Sequence, residues 1–153
     1  MRARLFTLAR DERGTSLIEF GFIAPFLALL AMGVIDLSRG LAERFALAQA
    51  VNRSLELVQS RPAVAAADSD EVDYSFVKVE AMAAAGLKTG EEDQVTITRW
   101  LECDNEDRGN VNGDCEAGEE SARYLRVRIT KDFEGDFYFA KIPMVATGTV
   151  RTQ

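Results

Sequence analysis

The sequence of 153 residues contains no histidine, two cysteines, one tryptophan and three prolines. Without histidine it lacks the commonest general base, the Ser-His and Cys-His nucleophile pairs, and the commonest transition-metal ligand. That absence argues against most enzyme classes, so no catalytic residue and no cofactor is assigned. Positive charge is also scarce: 18 Lys and Arg stand against 25 Asp and Glu, and residues 37–153 alone carry the whole formal charge of −7. Such an acidic chain offers nucleic acid no electrostatic footing. One enzymatic reading survives, a membrane-anchored hydrolase using paired acids from Asp132, Glu134 and Asp136. These acids fall in an expected turn, where a solvated face is the simpler account.

What the sequence does have is a long apolar run. Thr15 to Ile35 holds 21 residues with Glu19 as the only charge. As a helix rising about 1.5 Å per residue it spans roughly 30 Å, the hydrocarbon thickness of a bilayer. A secretory signal peptide would have a shorter apolar region and a small-residue cleavage site. Here the run passes without a break into an amphipathic pattern, which favours a membrane span. Arg2, Arg4, Arg10 and Arg13 precede the run and Asp36 follows it. By the positive-inside rule the N-terminus stays cytoplasmic and the rest crosses.

Beyond Ile35 the helical period continues with one polar face. Leu41, Phe45, Ala48, Val51, Leu55 and Val58 recur at spacings of three and four, which marks them as the expected buried stripe. Pro62 ends the helix, because a residue before proline is pushed out of the helical region. One helix of about 45 residues results, half for lipid and half for a domain, and Pro25 and Gly33 are sites where the lower half could bend. A second helix is expected over about 71–85, capped by Asp68, Ser69 or Asp70 and stopped by Gly86, with Tyr74, Val77, Ala81, Ala84 and Ala85 inward.

Three antiparallel strands should follow. Val95–Leu101 is rich in β-branched residues, Tyr124–Thr130 alternates with Leu125, Val127 and Ile129 inward, and Met144–Arg151 closes the sheet despite Gly148. Three strands with one apolar face need a helix to cover them, which the upper half of the long helix supplies. The expected fold is therefore α+β, a long helix packed on a small antiparallel sheet with one further short helix.

Cys103 and Cys115 enclose the acidic loop CDNEDRGNVNGDC. An exported domain favours their pairing, and closing such a ring removes about 3 kcal/mol of unfolded-chain entropy. A calcium site on Asp104, Asp107, Asn110, Asn112 and Asp114 is the alternative reading, since these are hard oxygen ligands, although the spacing is not that of an EF-hand. Phe133, Phe137, Tyr138 and Phe139 are read as a loop capping the core, with an exposed adhesive patch as the alternative reading.

The acid at Glu19 raises the question of its partner, since intramembrane ionisable residues usually pair. A cut between Gly14 and Thr15 would place a new α-amine one helical turn before it, on the same chain or on a neighbour. A short basic leader, a glycine, a glutamate fifth in the mature chain and a continuous apolar run together resemble a type IV prepilin. Gly14, Glu19 with Phe20, Pro25, Gly33, Asp36 and Arg39 further resemble the opening of the TadE-like family, minor pilin-like proteins of tight-adherence (Tad) pilus systems. The resemblance implies a pseudopilin of the bacterial inner membrane. Its domain would be periplasmic and would reach the extracellular pilus if the subunit enters the filament.

It also implies cutting by a prepilin peptidase, and partners among pilin-like subunits and inner-membrane platform proteins. Thr15 stands where major type IV pilins usually carry an N-methylated phenylalanine. The expected organisation is a leader at 1–14, a transmembrane helix at 15–36 and an exported domain at 37–153. The processing site is Gly14 and Thr15, and assembly contacts run through Glu19 and Phe20. The competing reading is an uncut single-pass protein with an exported ligand- or ion-binding module.

Overall fold

The computed structural model describes residues 13–61, 74–109, 113–138 and 141–152, with side chains from Leu17 onward. The leader arginines Arg2, Arg4 and Arg10, the helix stop Pro62, the caps Asp68, Ser69 and Asp70, and Asn110, Asn112 and Phe139 lie outside the described residues.

Helix α1 spans Arg13–Gln59, 47 residues without interruption and with Pro25 inside it. Two different environments hold one hydrogen-bonded rod. Up to Ile35 its large apolar side chains are exposed, whereas from Leu47 to Val58 it buries a stripe against the domain. The buried stripe is Leu47, Ala50, Val51, Ser54 and Val58. Val51 and Val58 of the expected stripe are buried and Leu55 packs against the core, whereas Leu41 and Phe45 remain 47 % and 65 % exposed, so the stripe is rotated over the first part of the domain half. Ser54 fits the apolar interface by returning its hydroxyl to the Ala50 carbonyl at 2.8 Å, the usual device for a buried helical serine.

Helix α2 (Ser75–Ala85) buries Val77, Ala81 and Ala85 and lies against α1, to which Glu80 is tied by Arg53 at 2.6 Å. Gly86 ends it with φ 65°. The Gly86 N–H reaches Ala83 O and the Leu87 N–H reaches Met82 O, a Schellman stop in which glycine carries the left-handed residue at no steric cost. After a 3-10 turn (Glu92–Gln94) come β1 (Val95–Cys103), β2 (Glu106–Asp107), β3 (Ser121–Phe133) and β4 (Ile142–Arg151).

The sheet is antiparallel in the order β2-β1-β3-β4. Its fourth strand, the two-residue β2, lies inside the cysteine loop, where three strands were expected. Asp104 and Asn105, both at positive φ, make the tight hairpin that pairs Cys103 with Glu106, as a two-residue turn between right-twisted strands requires. Leu125, Val127 and Ile129 of β3 point inward and are fully buried. Together with Val95, Val150, the helix stripe and the inner face of α2 they form a single core.

Gly148 explains how closely the sheet meets α1. A Cβ built there would stand 2.5 Å from Val51 Cγ1 and 2.7 Å from a Leu55 methyl. The glycine that weakens the strand pattern is what lets the strand lie on the helix.

Candidate functional site

The functional elements are strung along α1. At its beginning, Gly14 and Thr15 lie within the first helical turn. Glu19 and Phe20 are exposed one turn further on, as are Leu17, Phe22, Phe26, Leu29 and Leu30. The helix is long and apolar enough to cross a membrane, and its apolar window has no side chain buried against the domain. This end therefore has no partner among the described residues, and its acid faces outward among apolar side chains.

At the end of the apolar run the helix meets the domain through Asp36. Its side chain is 0 % exposed and accepts three consecutive backbone N–H groups from the β3–β4 loop. Asp136 N–H reaches Oδ1 at 3.0 Å, while Phe137 and Tyr138 N–H reach Oδ2 at 3.0 and 2.7 Å. Successive amides converging on one carboxylate make an anion cradle from backbone alone. Around it the contact is reinforced. Arg39 pairs with Asp136, and Gly40 offers its bare face to the Phe133 ring, with only 3.4 Å available to a Cβ. Lys131 joins Glu43 at 2.5 Å and also donates to the Ala85 carbonyl at 2.9 Å, placing a cation at the negative end of α2.

The loop thus fastens the sheet to the helix where its exposed apolar run ends. Sequence reading singled out Asp36 and Arg39 through a resemblance without finding what they hold. The aromatic group was expected either as a cap on the core or as an exposed patch. In the structure Phe133 packs inward on Gly40, whereas Phe137 and Tyr138 are 54 % and 53 % exposed.

At the far end, Cys103 and Cys115 form a disulfide with Cα atoms 5.6 Å apart. The acids proposed as calcium ligands do not converge there. Asp104 accepts the Glu120 N–H at 2.9 Å, Asp107 accepts the Gly109 N–H at 2.7 Å, and Asp114 turns toward Arg123 at 3.8 Å. Among the described residues the one cluster with ligand spacing is Cys103, Cys115 and Glu119, and its sulfurs are joined to each other. The hydrolase acids are likewise separated: Asp132 pairs with Lys141 at 2.9 Å, and Asp136 with Arg39. The Asp132 hydrogen bond and charge raise the Lys141 ammonium pKa above its ordinary value.

An apolar helix emerging from a small α+β domain with its own disulfide is the layout of a pilin-like anchored subunit. Residues 14–54 match the model of the family described as TadE-like protein, the family that the Gly14, Glu19-Phe20 and Asp36-Arg39 pattern resembles. The match covers the anchoring helix through most of its buried half. Neither a curated protein nor a solved structure matches the chain. A TadE-like domain suggests a protein associated with Tad pili, and TadE-like pilus proteins are structural proteins.

Proposed function

We propose that this protein is a minor pilin or pseudopilin of a tight-adherence pilus, anchored by α1 in the bacterial inner membrane and matured by a prepilin peptidase between Gly14 and Thr15. The observation that carries this reading is the TadE-like match over residues 14–54. It begins at the proposed cutting site and includes the acid, the span and the Asp36-Arg39 boundary. Leu17, Ile18, Phe20 and Phe22 are exposed on the helix, so they are available to lipid or to the helices of related subunits. In such a bundle Glu19 would be costly alone and neutral when paired with an α-amine, which makes it a register device. The domain, oriented to the periplasm, then presents its sheet and disulfide loop to pilin-like subunits and platform proteins.

The test is the N-terminal residue and intact mass of the protein from its native membrane. A chain beginning at Thr15 supports the reading, and extra methyl mass would reveal modification of the new amine. A chain retaining the leader overturns it and favours an uncut anchored module. Glu19→Ala should still insert in the membrane while losing recovery of partner subunits.

A further inference from the structure

We propose that the β3–β4 loop is a second membrane contact, with Phe137 and Tyr138 seated in the outer interface of the bilayer that α1 crosses. This rests on the reading of α1 as a span and adds a lipid-facing surface on the folded domain. Depth is the first argument. Gly33 lies inside the apolar run, about 4.5 Å below Asp36 along the helix axis, and a Cβ built there would stand 4.0 Å from the Tyr138 ring. Tyr138 lines an apolar groove that runs along α1 from Phe26 to Leu37. The loop is therefore continuous with the surface that faces lipid.

Backbone chemistry is the second argument. A loop entering apolar surroundings is penalised by several kcal/mol for each unpaired polar group. Here the amides of Asp136, Phe137 and Tyr138 are already satisfied by the buried Asp36 side chain. The same bonds pair the acid that ends the apolar run. Asp136 is held by Arg39, so the charge beside the aromatics has its own partner. Alongside the exposed charged side chains of Glu134, Asp136 and Lys141, the described part of the loop presents two exposed aromatic side chains. Rings with an apolar body, one of them with a hydroxyl tip, are the residues that concentrate at the lipid headgroup level.

The test uses the full chain in phospholipid vesicles, in a Trp100→Phe background so that each reporter is the single tryptophan. Phe137→Trp and Tyr138→Trp replace one exposed ring by another and leave the backbone cradle in place. Phe26→Trp reports the span, and Glu116→Trp reports the distant disulfide loop. With lipids brominated near the headgroup, the reporters at 137 and 138 should lose emission and shift to shorter wavelength, while the reporter at 116 should not. Quenching at 26 by lipids brominated deeper in the chain, with none at 137 or 138, would keep the span and overturn the loop contact. No quenching at 26 would overturn the span itself. A blue shift at 137 that grows with protein density and is insensitive to brominated lipid would assign the aromatics to a second copy and also overturn the proposal.

Discussion

The two halves of α1 are one helix with two different surroundings, one exposed and one packed on the domain. From Leu17 to Ile35 almost every large side chain is exposed, and apart from the Tyr138 ring beside Gly33 cohesion comes from the helix's own hydrogen bonds. From Asp36 to Val58 the same rod contributes an acid, a glycine, a serine and several aliphatic side chains to contacts with the sheet and α2. Hydrophobicity alone does not separate the halves, since the exposed half is the more apolar. What separates them is whether anything in the chain is shaped to meet them. The change occurs at Asp36, where a buried carboxylate grips backbone amides of a loop about 100 residues later.

The comparison breaks most directly if the two halves respond alike to truncation. Leu47→Ala, at a site 1 % exposed, should destabilise the domain by about 3 kcal/mol. Leu29→Ala in the exposed half should change it by less than about 0.5 kcal/mol. Urea unfolding in detergent, followed through Trp100, measures both; equal shifts would mean that the exposed half is packed after all. Gly148→Val sharpens the same contrast from the sheet side. Its new Cβ would collide with Val51 and Leu55, and overpacking of this kind costs about 3 kcal/mol.

Reduction of the Cys103–Cys115 bond should lower stability by about 3 kcal/mol in the chain-entropy account without disturbing the membrane end. An unshifted melt on adding a reductant would show that β2 and its turn hold the loop unaided. Asp36→Ala acts at the boundary between the halves. It leaves the amides of residues 136–138 without this acceptor, at a cost of about 2 kcal/mol. Hydrogen exchange at these three amides should accelerate while exchange at Val127 and Ile129 stays slow. Unchanged protection at 136–138 would show that the cradle is not what orders the loop.

The sheet was legible because β3 alternates apolar and polar residues over YLRVRIT. Its ends were not, because pairing with β1 and β4 extends it to Ser121 and Phe133. The exposed apolar half of α1 was legible from length and composition. Its upper face was read correctly at Val51, Leu55 and Val58 but about one residue off at Leu41, Phe45 and Ala48, because two apolar stripes compete there. The true one contains Asp36, Gly40 and Ser54, residues that a search for greasy positions passes over. Gly148 carries the same lesson, since a missing side chain reads as weakness until the facing helix is seen. Nothing in the sequence near residues 136–138 points to the cradle, because its donors are main-chain amides that any residue but proline would supply.

The smallest expected effect lies at the foot of the same loop, where Lys141 and Asp132 join the ends of the strands that carry it. The Asp132 hydrogen bond raises the folded-state pKa of Lys141 above its ordinary value of 10.5. A group whose folded pKa is raised contributes its stability in full below the unfolded value and loses it as pH rises through the folded one. The pair should therefore add stability from neutral pH up to about 10.5 and lose it in more alkaline solution. Asp132→Asn should remove that loss and leave the rest of the alkaline profile intact. Because Lys141 is exposed and the pair is open to salt, the shift in melting temperature should be smaller than at Asp36, and high ionic strength should reduce it further. If Asp132→Asn instead disordered the amides at 136–138, this ion pair, rather than the Asp36 cradle, would be what positions the loop against the helix.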